Sequence, residues 1–320
     1  MYLMKELLEQ IKSLRVLVIG DVMLDRYVIG EVSRISPEAP VPVLAVTEER
    51  SVAGGAANVA LNLRSLGAEV EGIGWFGEDE RGEELVSILA EQKIMVDTQF
   101  RFSSAPTISK SRVTASNQQI CRVDREFSSV HYSPNLHEMG ELIAKKAQSV
   151  DAVIVSDYGK GFVTDDLIKL VRNSAKFVAV DPKPSRPLQY SYPDLLTPNR
   201  VEALELAGLR RDIQSPFPEE DVVGEIFAKY SPRFLAVTLG AGGMLLAHKG
   251  EIVQTIPTAA REVFDVSGAG DTVIASLTLA LAAGESFEKA AKFANSAAGV
   301  VVGKVGTATV SPAEILGLSS

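Results

Sequence analysis

The chain has 320 residues, 46% of them hydrophobic, enough to bury a sizeable core as one large α/β domain or two small ones. A formal net charge of −9 without a long Lys/Arg run excludes a nonspecific nucleic-acid binder, so an anionic ligand must be held by a few placed cations and by backbone N–H groups. A single cysteine, Cys121, excludes an internal disulfide framework, and the three histidines, His131, His137 and His248, form no cluster with metal-ligand spacing.

Residues 1–15, MYLMKELLEQIKSLR, alternate charge with Leu and Ile and lack the apolar stretch and cleavage site of a signal peptide. No apolar run reaches membrane-spanning length, so the sequence reads as cytoplasmic. RVLVIG (15–20) is a buried strand, short, β-branched and ended by Gly. In the following EVSRISPEAPVPVLAV, Pro37, Pro40 and Pro42 forbid helix and suit an edge strand. GGAANVALNLRSLG (54–67) is a glycine turn opening a helix, EVEGIGWFG a strand, and DERGEELVSILAEQK a helix. From Pro106 to Val123 the pattern becomes a hairpin turned at ASNQQ, with Ile108, Lys110, Arg112 and Thr114 on one face by period two. His131 and His137 flank a polar loop.

The second half is more regular. DAVIVS is a strand, TDDLIKLVRNS a helix capped by Thr164, KFVAVDPK and DLLTP are strands, and NRVEALELAG is a helix ended by Gly208. RFLAVTLG is a strand, GGMLLAHKGEIVQTI a hairpin turned at Lys249–Gly250, and two helices close the pattern. The alternation predicts a doubly wound, mostly parallel α/β sheet with helices on both faces and a small β lid, its strands drawn from about 26–47 and 106–124.

No P-loop and no dinucleotide fingerprint is present. DVSGAGDTVIASLTLALAAG (265–284) instead places Gly268, Ala269, Gly270 and Asp271 at the mouth of an apolar helix. Unpaired amides at a helix start form an anion hole for a transferring phosphoryl group, and the glycines let it approach. Asp271, held ionised by the helix end and facing an open cleft, is placed to take a proton from an attacking hydroxyl. The competing reading is that Asp265 or Ser267 caps the helix and the glycines serve packing alone.

GGAANVA, TPNRVE, TLGAGGM and DVSGAGDT occur in the order and roughly the spacing of the ribokinase-like (PfkB) carbohydrate kinases, which the chain resembles over nearly its whole length. More narrowly, GDVMLDRY, SRISPEAPVPV, NQQICRVD, SDYGKG, DPK and AAGVVVGKVGTATVSP resemble the kinase half of the bifunctional heptose 7-phosphate kinase/heptose 1-phosphate adenylyltransferases, which make the heptose precursor of bacterial lipopolysaccharide. No H-x-G-H nucleotidyltransferase motif occurs, so the expectation is one kinase domain over 1–320, with adenylyl transfer supplied by another chain.

The resemblance implies Asp271 as catalytic base and Gly268, Ala269 and Gly270 as anion hole. It implies that Asn199 and Glu202, at i and i+3, reach a hydrated Mg²⁺ and the phosphates of ATP, although a capping box fits TPNRVE equally well. Thr238, Gly240 and Gly243 lie along the ATP phosphates and ribose, and Asn295 lines the adenine pocket. Asp25 binds sugar hydroxyls, with Gly54, Gly55 and Asn58 against the sugar. Arg34, Lys110, Arg112, Arg122, Lys160 and Lys183 are the candidates to hold a sugar phosphate, Arg being favoured by its planar fork. A monovalent cation, K⁺, has candidate loops in Asp265–Ser267 and Gly303–Gly306, and the sequence leaves its presence open. The implied reaction is ATP-dependent phosphorylation of heptose 7-phosphate at O1 by a homodimer paired through the lid. Other kinases of the same family, or a sugar-binding regulator without catalysis, are the alternatives.

Overall fold

The computed structural model describes residues 2–115, 118–211, 216–260, 263–304 and 306–317, so the centre of the expected ASNQQ turn lies outside the described residues. Helix α1 (Tyr2–Ile11) precedes β1 (Arg15–Gly20), which leads directly into a long antiparallel hairpin, β2 (Val22–Ile35) and β3 (Pro42–Gly55). There follow α2 (Ala56–Ser65), β4 (Glu69–Ile73), β5 (Phe76–Gly77), α3 (Glu80–Glu91), β6 (Met95–Val96) and β7 (Arg101–Phe102). A second hairpin, β8 (Ser109–Ala115) and β9 (Gln118–Arg125), precedes α4 (Leu136–Gln148). Then come β10 (Ala152–Ser156), α5 (Asp165–Ser174), β11 (Val178–Asp181), β12 (Leu195–Leu196), α6 (Arg200–Ala207), α7 (Glu219–Tyr230) and β13 (Phe234–Thr238). The hairpin β14 (Met244–His248) and β15 (Glu251–Ile256) and the helices α8 (Ala269–Ala282), α9 (Phe287–Val301) and α10 (Pro312–Gly317) complete the order.

The main sheet has nine strands in the order β15-β14-β13-β12-β11-β10-β1-β4-β6, parallel from β6 to β13, with β14 and β15 added antiparallel. Its middle strands are apolar without alternation because helices cover both faces: Val16–Ile19 and Ala152–Val155 are fully buried. Helix α8 is buried from Asp271 to Ala280, as a mostly apolar helix at the centre of a domain must be. No helix among the described residues is long and apolar enough to cross a membrane.

A separate four-stranded sheet, β3-β2-β8-β9, forms the lid. Its strands exceed the expected bounds at both ends, since β2 starts at Val22 and β3 runs on to Gly55. Pro37 and Pro40 collect in the connection between them, where no ladder hydrogen bond is lost. Two sequence expectations are corrected. EVEGIGWFG is not one strand: it breaks after Ile73, where Trp75 stacks on Phe102 at 4.0 Å and Phe76–Gly77 pair with Arg101–Phe102 in a two-stranded sheet. The polar segment around His137 is helix α4, whose buried stripe of Met139, Ile143 and Ala147 is thin among charged neighbours; α7 was hidden in the same way.

The chain passes from β1 outward to β4 and β6 on one side, then returns to build β10, β11, β12 and β13 on the other. The strand order therefore reverses between β1 and β10, and a crevice opens beyond their carboxyl ends. Asp21, directly after β1, fixes what enters it. One carboxylate oxygen accepts from the amides of Tyr158 and Lys160, both at 2.9 Å, and the other from Phe162 at 2.9 Å. The loop after β10 is thereby wrapped around a side chain that is 1% exposed. Asp21→Ala leaves three amides without an acceptor and is expected to lower the unfolding free energy by at least about 2 kcal/mol in a urea titration. Asp21→Asn, which keeps one acceptor oxygen, should lose less.

Candidate active site

Helix α8 delivers its amino end to this crevice. Its N-cap is Gly268, in the left-handed conformation at φ 79°, and no side chain caps the helix. The competing reading of Asp265 or Ser267 as the cap is thus not what the fold adopts: Asp265 accepts instead from the amides of Ser267 at 2.9 Å and Gly306 at 3.0 Å. Burial works against the Asp265 charge, but these hydrogen bonds hold its carboxyl below the usual range. Asp265 so joins the two loops expected to flank a monovalent cation, of which Val305 lies outside the described residues.

Asp271 is corrected in one respect. Its carboxyl is 4% exposed, although it lines the cleft, and burial pushes its pKa up to about 6. The helix end does not by itself keep it ionised. Two hydrogen bonds act in that direction, one from the Tyr158 hydroxyl to Oδ1 and one from Asn58 Nδ2 to Oδ2, both 2.6 Å. Burial and the nearby Asp271 charge push the Tyr158 hydroxyl well above the ordinary tyrosine range, so it acts only as a donor. Below Asn58 the seam between α2 and α8 continues in a Thr272–Asn62 hydrogen bond of 2.7 Å.

At the lid side, Asp25 on β2 stands opposite Val52 of β3 and Lys110 of β8. Gly54 is required there: a Cβ on it would lie 2.3 Å from Asp25 Oδ2. Arg112, two residues from Lys110 on the same face, donates from Nη1 to Asp25 Oδ1 at 2.7 Å and lies 5.4 Å from the Tyr27 ring centroid. Arg122 forms a two-pronged pair with Asp124, both contacts 2.8 Å. Lys160 pairs with Glu126 at 2.6 Å. Arg34 is exposed at the far end of β2, nine residues beyond Asp25 and about 30 Å along the strand, and is not brought to the site. Lys110 differs from all of these. It is half-buried and has no hydrogen-bond or ion-pair partner among the described residues. Burial and the neighbouring Lys160 charge depress its pKa, with Asp25 opposing. The two arginines favoured by the sequence, Arg112 and Arg122, are engaged by carboxylates.

The deep part of the crevice, about 200 Å³, is lined by Asp157, Tyr158, Asp181, Pro182, Lys183, Thr197, Asn199, Glu202, Thr238, Gly268, Gly270 and Asp271. Asn199 and Glu202 form the capping box of α6: Asn199 Oδ1 accepts from the Val201 and Glu202 amides, and Glu202 Oε2 accepts from the Asn199 amide, each at 3.0 Å. The capping-box reading of TPNRVE is what the fold adopts, and both residues also line the cleft. Lys183, expected toward the sugar phosphate, instead donates to Glu202 Oε1 at 2.8 Å. No group of three or more His, Cys, Asp or Glu among the described residues could hold a metal directly. Asp181 and Glu202 supply the hard oxygen donors that suit a largely hydrated Mg²⁺. Burial and the charges of Glu202 and Asp271 push the Asp181 carboxyl well above its ordinary range. Gly240 opens the short helical turn after β13 and Gly243 closes it, and Asn295 donates to the Pro257 carbonyl at 2.7 Å; none of the three lines the deep part of the crevice. Tyr158 and Asp181 were overlooked by the reading of the sequence, where SDYGKG and DPK carried only a resemblance.

A family model described as "pfkB family carbohydrate kinase" matches residues 13–314. Curated relatives named "Bifunctional protein HldE" include that of Actinobacillus succinogenes, 44% identical over 313 residues, and that of Sulfurimonas denitrificans, 42% identical over 306. These alignments cover 96% and 94% of this chain but only 63% of either relative. Among solved structures, an Arabidopsis thaliana ribokinase complexed with ribose and ATP superposes with a TM-score of 0.74 at 20% identity, covering 96% of this chain and 98% of that one. The phosphofructokinase-2 of Escherichia coli in complex with potassium gives 0.76 at 19% identity, covering 95% and 98%. These two likenesses establish the ribokinase-like fold.

Tyr158→Phe removes one of the two hydrogen bonds that favour the Asp271 carboxylate. The titration midpoint of that carboxyl, followed by carboxyl ¹³C NMR with Asp271→Asn for assignment, should move above about 6. An unmoved midpoint would mean that the hydroxyl does not bear on the carboxylate.

Proposed function

The chain belongs to the pfkB family of carbohydrate kinases, phosphotransferases with an alcohol group as acceptor, and from that membership we propose that its acceptor is D-glycero-D-manno-heptose 7-phosphate. The product is heptose 1,7-bisphosphate, a precursor for ADP-heptose and the lipopolysaccharide core. The relatives' length and the sequence resemblance support this reading for the kinase half alone. The observation that carries it is Lys110. A half-buried ammonium with no partner among the described residues, next to a sugar-binding carboxylate, is a cost to the fold unless an anion completes it. A neutral sugar offers none; a sugar already bearing a phosphate does.

In this reading Asp25 orients a sugar hydroxyl, steadied by Arg112 and by the close approach of Gly54. Lys110 meets the 7-phosphate. Asp271 takes the proton from O1–H while O1 attacks the terminal phosphorus of ATP. The O1–P bond forms as the bond from phosphorus to the bridging oxygen breaks, and that electron pair leaves with ADP. The amides of Gly268 and Gly270, which line the crevice, face the oxygens on which charge develops, while that of Ala269 is engaged by the Val266 carbonyl at 3.2 Å. Mg²⁺, near Glu202 and Asp181, supplies neutralisation of the phosphate charge when bound. A K⁺ beside Asp265 and pairing of two chains through the lid complete the proposal. The pairing is favoured by Val46, Ile120 and Val123, large apolar side chains left exposed on the lid strands.

Because the base must be ionised, kcat/KM should rise with pH through about 6 and level off above it. Asp271→Asn should keep its affinity for ATP and lose about 10²–10⁴ in kcat, and the rise through pH 6 should vanish with it. A variant with near-normal turnover would remove Asp271 from the reaction. Lys110→Met should raise KM for heptose 7-phosphate at least about tenfold and leave KM for ATP within about twofold. Efficient turnover of ribose or a nucleoside in place of heptose 7-phosphate would refute the acceptor.

A further inference from the structure

Four carboxyl groups line the deep crevice, those of Asp157, Asp181, Glu202 and Asp271, and Lys183 is the single cation lining it among the described residues. A nucleoside triphosphate brings about four more negative charges into that space. The α8 amides and a hydrated Mg²⁺ answer part of this charge, and Lys183 is the one side chain in place to answer more.

Its surroundings fix the backbone and leave the side chain loose. Lys183 follows β11 directly, and its amide donates to the Tyr190 hydroxyl at 3.2 Å. Tyr190 in turn donates to Asp157 at 2.6 Å, and Arg186 bridges Asp157 and the Val163 carbonyl at 3.2 and 3.0 Å. The loop that carries Lys183 is therefore tied to the strand end beside the crevice. The side chain itself is 44% exposed, and its hydrogen-bonded partner among the described residues is Glu202, at 2.8 Å. A pair that open to water is worth at most about 1 kcal/mol, so exchanging it costs little. Charge-assisted hydrogen bonds to a phosphate oxygen are stronger. With Glu202 and Asp181 turned to the metal, the phosphates would be the strongest anions within reach of the ammonium.

We infer that Lys183 is a catalytic residue that leaves Glu202 and binds the terminal phosphate of the nucleotide, holding its oxygens while the phosphoryl group passes to the sugar. The inference rests on the reading that transfer takes place at Gly268–Asp271, and it moves Lys183 from the sugar end, where the sequence put it, to the nucleotide end.

The test separates the terminal phosphate from the rest of the nucleotide. Calorimetric titrations with Mg²⁺ and either AMP-PNP or ADP are made on the wild type and on Lys183→Met, which keeps the apolar stem. Loss of the contact should weaken AMP-PNP about tenfold or more and change ADP by less than about twofold. In turnover, kcat should fall about 100-fold with KM for the sugar phosphate unchanged, and Lys183→Arg should recover part of the loss. Equal weakening of AMP-PNP and ADP overturns the inference, and so does a rise in the sugar KM alone, which would return Lys183 to the acceptor. Asp271→Asn measured alongside tells the two failures apart. If it abolishes turnover while Lys183→Met binds AMP-PNP normally, only the role of Lys183 fails. If Asp271→Asn turns over normally, the location of the chemistry fails with it.

Discussion

Everything at the crevice depends on a carboxylate kept out of water and still kept charged. Asp271 sits at the start of the most buried helix of the fold, and burial alone would protonate it near neutral pH. An upward shift to about 6 corresponds to about 3 kcal/mol against the ionised form. The folded-state value exceeds the unfolded one, so this group favours folding in acid, and that contribution is lost as pH rises through about 6. The fold tolerates the cost because the donors come from rigid places. Asn58 is on α2, held by the Asn62–Thr272 link, and Tyr158 is on a loop that Asp21 pins by three amides. Strain at any of these three segments is felt at one carboxyl group.

How much of this the sequence disclosed follows from the range of the interactions. The sheet strands were legible because buried parallel strands are short unbroken apolar runs between glycines and polar turns. Thr164 and the Asn199–Glu202 box were legible because a cap is made within four residues. The lid was legible from the period-two placing of Lys110 and Arg112. What escaped was made between distant residues. The Tyr158–Asp271 contact spans 113 positions and the Arg112–Asp25 pair spans 87. No local pattern announces that an arginine is already engaged or that a lysine is not. For the same reason the shape of a guanidinium, read from the sequence, carries no word of its availability, which only tertiary structure decides: Arg112 and Arg122 are both paired with carboxylates.

The cations divide the crevice into two ends. Lys110 and the engaged Arg112 stand with Asp25 on the lid, and Lys183 stands with Glu202 beyond the main sheet. Asp271 lies where both ends meet, close enough for Asp25 to raise its pKa. In the proposed reaction two anionic reactants would be received by separate positive groups before their reacting atoms come together, which would lessen the repulsion that opposes phosphoryl transfer between them.

The way the lid is attached limits how it can move. Its first strand begins at Val22, one residue after the clamped Asp21, so its root shares the stiffness of the central sheet. The ladder between β2 and β3 slips register at Ile29–Gly30 and again at Val32–Arg34, both well out along the strand. Register slips bend a strand and sharpen its twist, so the lid is built like a cantilever rather than a door: regular at the root, where Asp25 stands, and irregular toward the tip.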